Sequence, residues 1–274
     1  VDREVASGLM LMGYDVEPKT VLAEGDMGVR LTWQAVETLP QDYRLELGLR
    51  DREGQLRASV RSSMVETEYP TSKWHDGEVL QEWYHLPVDE SVPTGEMTLT
   101  LNLIDERGKS ATTEPLALGE VWVQSTQPSV EAPQAISHPS RVNFGDRVTL
   151  LGYDVSSSVR AGEELALTVY WEAQGEITQS YKVFVHVYDG QGNILAQQDR
   201  VPGLGARPTT TWQAGEVVAD RLLVPVDPGS PAGAYDLAVG LYDPETGDRL
   251  PVYGTDGERL EDDRFLLGQV DVRP

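Results

Sequence analysis

The chain has 274 residues, 45 acidic against 22 basic for a formal charge of −23, 39% hydrophobic residues and no cysteine. Such a charge repels phosphate backbones and anionic lipid, which argues against nucleic acid as a partner, and the missing thiols exclude disulfides, thiolate metal sites and cysteine nucleophiles. The length exceeds one typical domain and points to two separate cores, while 26 glycines and 17 prolines suit many short strands joined by turns.

The chain opens on Val1 rather than Met and is read as a piece of something longer, with any signal or anchor lying outside it. No apolar run approaches the roughly 20 residues that span a bilayer. Residues 11–16 read Leu-Met-Gly-Tyr-Asp-Val and predict an opening strand. A second strand ends at Trp33. Tyr43, Leu45, Leu47 and Leu49 then alternate with Arg44, Glu46, Gly48 and Arg50, which buries one face of a strand and wets the other. Asp-Arg-Glu-Gly at 51–54 is a hairpin tip. Trp74, just before Gly77-Glu78, is placed as a plug at the end of the sandwich, and Trp83, Tyr84 and His85 are either exposed and functional or packed at an edge. Met97, Leu99, Leu101 and Leu103 mark a further strand. Ser125 to Arg141 carries Pro128, Pro133 and Pro139, so an extended, semi-rigid linker is expected over 126–141.

From there the landmarks return at a constant spacing of 138 residues: Trp33 with Trp171, Tyr43 with Tyr181, Asp51 with Asp189, Gly54 with Gly192, Trp74 with Trp212, Gly77-Glu78 with Gly215-Glu216, Gly95 with Gly233 and Asp105 with Asp243. Tyr181, Val183, Val185 and Val187 repeat one buried face, and Tyr235, Leu237, Val239 and Leu241 repeat another. A period this long signals a duplicated domain rather than a solenoid, whose repeats run about 20 to 50 residues. The fold expected is all-β: two tandem immunoglobulin/fibronectin-like antiparallel β-sandwich domains from an internal duplication, about seven strands each, at 1–125 and 142–274. In the second opening motif, Leu-Leu-Gly-Tyr-Asp-Val at 150–155, Leu151, Tyr153 and Val155 are expected on one face with a bend at Gly152. Leu118-Gly119-Glu120-Val121 matches Leu267-Gly268-Gln269-Val270 at a spacing of 149, so copy two carries an insertion of roughly ten residues within 249–264.

The run Asn143-Phe144-Gly145-Asp146, then Leu150 to Asp154, Val169-Tyr170-Trp171, Val183 to His186, Trp212 to Glu216 and Gly240 to Asp243 resembles the β-sandwich segments appended to bacterial multi-pass membrane glycosyltransferases of the dolichyl-phosphate-mannose mannosyltransferase type. The resemblance covers most of residues 142–273, and residues 8–124 look like a more diverged version. It implies an extracytoplasmic accessory module near sugar-transfer chemistry. In that family the catalytic acids lie in the membrane part, so no catalytic residue carries over.

The copies differ most on the outward face of the strand near 181–189. Copy one shows Arg44, Glu46, Gly48 and Arg50 there, whereas copy two shows Lys182, Phe184, His186 and Tyr188, with Tyr242 on a strand expected alongside. Aromatics beside Gly240 and Ala238 make a shelf of the kind that holds pyranose rings, and Phe184, His186, Tyr188 and Tyr242 are its candidate ligand-binding residues. The alternative is that residues 249–264, with Pro251, Val252 and Tyr253, fold over this face and bury it. The acidic turns at 243–248 and 256–263 raise calcium, but neither has EF-hand spacing, and solvated hairpins explain them. Histidines 75, 85, 138 and 186 lack zinc-ligand spacing, and no Gly-x-Ser-x-Gly elbow or phosphate loop occurs. No metal or cofactor is assigned. The sequence therefore reads as a non-catalytic extracytoplasmic accessory or interaction module of a larger cell-envelope protein, with a glycan or another envelope domain as partner. A carbohydrate-binding module using the aromatic shelf and a β-sandwich hydrolase are the other readings.

Overall fold

The computed structural model describes residues 2–65, 68–130 and 135–274. It divides into two compact units, Val1–Ser125 and Thr126–Pro274. Both are β throughout; among the described residues helix is confined to four 3-10 segments of three residues.

In the first unit, β1 (Arg3–Ala6), β2 (Leu9–Glu17), β4 (Asp26–Ala35) and β7 (Val79–Pro87) form one sheet in the order β1-β2-β4-β7. The other sheet runs β3-β9-β8-β5-β6, from β3 (Thr20–Leu22), β9 (Leu116–Gln124), β8 (Gly95–Asp105), β5 (Tyr43–Arg50) and β6 (Leu56–Ser63). The period-two pattern sets which side chains meet between the sheets. Leu45, Leu47, Leu49, Met97, Leu99, Leu101 and Leu103 from one sheet share a single core with Met27, Val29, Leu31 and Trp33 from the other. The hairpin tip forms as its residues dictate: the Asp51 carboxylate accepts the Gln55 N–H at 2.8 Å, and Gly54 takes φ +78°.

The second unit repeats this order. Its first sheet is β16-β13-β11-β10-β18, from β16 (Val217–Pro225), β13 (Glu164–Ala173), β11 (Val148–Val155), β10 (His138–Phe144) and β18 (Val252–Tyr253). Its second is β12-β19-β17-β14-β15, from β12 (Ser158–Arg160), β19 (Phe265–Arg273), β17 (Gly233–Tyr242), β14 (Lys182–Tyr188) and β15 (Ile194–Arg200). Val183, Val185, Val187, Leu237, Val239 and Leu241 meet Leu165, Leu167, Val169 and Trp171 in its core. Apart from β18, each strand has a counterpart in the first unit with the same neighbours.

Three expectations need correction. Pairing is not wholly antiparallel: β3 runs parallel to β9, and β12 to β19. Only two residues separate β2 from β3, so the chain keeps its heading while crossing between sheets and arrives beside the last strand. The linker expected over 126–141 is too long. Residues 138–141 already belong to β10, the Gln127 carbonyl accepts an Arg207 N–H at 3.1 Å, and the Ser129 carbonyl accepts the Val217 N–H at 2.7 Å. Residues 131–134 of that segment lie outside the described residues. Finally, Leu151 does not share a face with Tyr153. A bulge between Leu150 and Gly152 against β13 turns Leu150 and Tyr153 inward, three positions apart, and leaves Leu151 outside the core. Gly152 takes φ +146°, and a Cβ there would lie 2.5 Å from the His138 carbonyl oxygen, so only glycine fits the bend.

Candidate functional site

Several residues that recur in both copies hold the loop between the sixth strand and the next. Thr71 and Thr209 are fully buried; each hydroxyl accepts a backbone N–H, from Tyr43 and Tyr181, at 2.9 Å in both units. Each hydroxyl also donates, to the Gln41 carbonyl at 3.0 Å and the Gln179 carbonyl at 2.7 Å. Trp74 and Trp212 fill the cores beside them, their indole N–H groups donating to the Tyr69 and Arg207 carbonyls. Glu78 accepts the His75 N–H, and Glu216 accepts the Gln213 N–H. The recurring glutamates therefore close a turn. Their remaining partner differs: the Tyr69 hydroxyl donates to Glu78, whereas the Arg207 guanidinium pairs with Glu216 where both are almost fully buried. Nothing in hydrophobic periodicity marks Thr71 or Thr209. The shared Pro-Thr-x-x-Trp spacing at 70–74 and 208–212 was the available signal.

On the second unit, Phe184, His186, Tyr188 and Tyr242 do come together on the outward face of β14 and β17. Phe184 is 2% exposed, His186 and Tyr188 7% each, and Tyr242 is half-buried. Of the two readings of this face, an open shelf or one covered by the insertion, the structure has the second: segment 249–264 closes the face. Its two ends supply the cover, with the Arg249 guanidinium 4.5 Å from the Phe184 ring centre and that of Arg264 4.5 Å from the Tyr188 ring centre. Arg249 donates to the Asp262 carbonyl at 2.8 Å, and Arg264 pairs with the Asp262 carboxylate at 3.3 Å. Arg259 makes two hydrogen bonds to Asp263, at 2.7 Å each. Between the ends, Val252 is buried in the core, and β18 pairs with β10 through Phe144↔Val252 and Asn143↔Tyr253. The segment is built into the sandwich on both sides. Gly240 leaves room for Phe184, since a Cβ there would meet the ring at 2.2 Å.

Electrostatics in this cluster follow from the burial. His186 Nδ1 lies 2.7 Å from the Tyr188 hydroxyl, and Nε2 lies 3.7 Å from Asp199. Desolvation lowers the imidazole pKa, the Asp199 charge opposes that shift, and the Arg249 and Arg264 charges add to it. Burial and the Asp199 charge push the Tyr242 hydroxyl upward. Nearby, Asp220 is fully buried. It accepts the Gly203 N–H at 2.8 Å and lies 3.4 Å from Arg200; burial raises its carboxyl against the pull of that arginine.

On the first unit, Trp83, Tyr84 and His85 divide by parity along β7. Tyr84 points into the core, whereas Trp83 and His85 stand on the outward face of β4 and β7. There Trp83 pairs with Arg30 and His85 with Gly28 across the strands. The acidic turn at 243–248 is self-contained: the Asp243 carboxylate accepts the Glu245 N–H at 2.8 Å, and its backbone closes on Gly247 and Asp248. Among the described residues no three His, Asp or Glu side chains converge as a metal site would require, and no helix is long and apolar enough to cross a membrane.

No known family model matches the chain, and no curated protein does. Among solved structures, it is similar to a Corynebacterium diphtheriae protein described as membrane anchored, at 12% identity and a TM-score of 0.26, covering 96% of this chain and 62% of that one. It is also similar to the C-terminal domain of the AgI/II polypeptide BspA of Streptococcus agalactiae, at 9% identity and a TM-score of 0.23, covering 93% of this chain and 95% of that one. The chain therefore spans about three-fifths of the first of these. Likeness at this level carries no functional inference.

Proposed function

We propose that the chain is a non-catalytic, extracytoplasmic accessory module of a larger cell-envelope protein, working beside glycan-transfer chemistry. The observation that carries the reading is how the second unit uses its chemically capable groups. His186 is buried between Phe184 and Tyr188, whose rings lie under Arg249 and Arg264, Glu216 is tied to Arg207 and the Gln213 N–H, and Asp220 is tied to the Gly203 N–H. Glu216 and Asp220 each hold a loop in place and His186 is engaged by Tyr188 and Asp199 within the sheet, as scaffold groups are; a general acid or base must instead reach a substrate proton. The envelope context follows from the resemblance read in the sequence over residues 142–273 and is part of the proposal. A hydrolase reading has no comparable support.

Location is testable in the native cell. Intact cells treated with a non-permeant protease should lose an epitope placed in the exposed 51–55 hairpin tip, while a cytoplasmic marker survives. Protection of that epitope until the cells are lysed would contradict the proposal.

A further inference from the structure

The chain has six tryptophans, and five of them, Trp33, Trp74, Trp122, Trp171 and Trp212, are at most 4% exposed. Trp83 is 42% exposed, on the solvent face of an edge strand. Its ring lies down on the sheet. Carbons Cζ3 and Cε3 come within 3.0 and 3.3 Å of where a Cβ on Gly28 would start, so the glycine provides the floor on which the indole rests. Around it stand polar side chains fixed in pairs. Arg30 reaches over the ring with its guanidinium 5.3 Å from the ring centre, farther than the 4.5 Å of the arginines on the second unit, and pairs with Asp15 at 2.5 Å, so the 42% of Trp83 left exposed is what a ligand would meet. His85 Nδ1 is 2.6 Å from Asp26, and Gln81 donates to Thr32 at 2.9 Å. In the second unit, Arg221 stands where Trp83 does and Ala166 where Gly28 does, so nothing in the common fold demands this arrangement.

We propose that Trp83 is the stacking platform of a glycan-binding site that takes a pyranose ring of an uncharged sugar. A pyranose offers a flat C–H face to an indole and a rim of hydroxyls to flanking carboxylate, amide and guanidinium groups. A large rigid aromatic gains contact area at little entropic cost, and its polar neighbours are already held by one another before the ligand arrives. The formal charge of −23 disfavours sugars that carry carboxylates or phosphates. Val79, the other exposed apolar residue of the strand, is separated from Trp83 by Gln81 on the same face, which breaks up the apolar patch that a protein partner would cover. The site lies on the first unit and goes beyond the accessory-module reading; the cellular location of the chain has no bearing on its test.

The whole chain, labelled with 5-fluorotryptophan, gives six fluorine resonances, and the one missing in Trp83→Ala belongs to Trp83. Titration with cellohexaose, mannohexaose and chitohexaose should shift that resonance saturably with at least one sugar. Hexagalacturonic acid should bind less well than that sugar. Trp83→Ala should weaken binding by about tenfold or more, the loss of a stacking contact, with its other five resonances in place to show a folded chain. Gly28→Val, which lifts the ring from its floor, should also weaken it. A Trp83 resonance unmoved by every neutral hexaose, equal binding by Trp83→Ala, or tighter binding of the anionic sugar would overturn the proposal. So would a resonance that moves only with protein concentration, alongside dimer in sedimentation, which would make a second copy the occupant.

Discussion

At position 186 an imidazole sits where the first unit has Gly48, and the strand changes from a partly solvated outer face, with Arg44 exposed and Glu46 and Arg50 half-buried, to one buried on both sides. The cost of that burial appears in its protonation. Burial and the two arginines hold the folded-state pKa below the ordinary 6.5, so across the window beneath that value the unfolded chain binds more protons than the folded one. Stability of the second unit is then fully present above the ordinary value and falls as the pH drops toward the depressed one. Melting curves taken from about pH 7 to about pH 5 should show this decline, and His186→Gln should flatten it. An unchanged slope in the variant would show that another group drives the acid sensitivity.

For an element, the loop that ends in Trp74 or Trp212 shows how one job is done with two chemistries. Tyr69 and Arg207 occupy matching positions and serve matching glutamates, but only the second pair is fully charged and buried. Removing one partner of such a pair leaves an uncompensated buried charge, so Arg207→Ala should cost about 3–5 kcal/mol in chemical denaturation. Arg207→Tyr should recover much of that, because a tyrosine already does the work in the first unit. Equal destabilisation by both variants would mean that the two loops are not interchangeable. Much of this scale was legible in the sequence. Alternation placed Leu45, Leu47 and Leu49 in the core, and the Asp-x-x-Gly tips closed as their residue types require. The three-residue strands β3 and β12 were not legible, being too short to carry a period, and the bulge at Gly152 shifted the face assignment because one inserted residue inverts the alternation.

Across the whole molecule, the two units share a strand order, and the buried Thr71 and Thr209 make matching bonds at a spacing of 138 residues. Function is then to be sought where they differ. The sequence pointed to one such difference, Phe184, His186, Tyr188 and Tyr242 beside an insertion, and favoured the insertion folding over them without naming the residues that do it. Composition could not decide it, because the covering is done by Arg249 and Arg264, whose charge marks them as surface residues while their planar groups stack on rings. The closed state of that face decides whether the aromatic cluster is core or surface. Carbethoxylation of the folded chain with diethyl pyrocarbonate, followed site by site by mass spectrometry, reads it directly. His75, His85 and His138 are exposed and should react readily, while His186 should be protected and should become reactive in an Arg249→Ala, Arg264→Ala double variant. Reaction of His186 in the unaltered chain as fast as His85 would contradict the closed face.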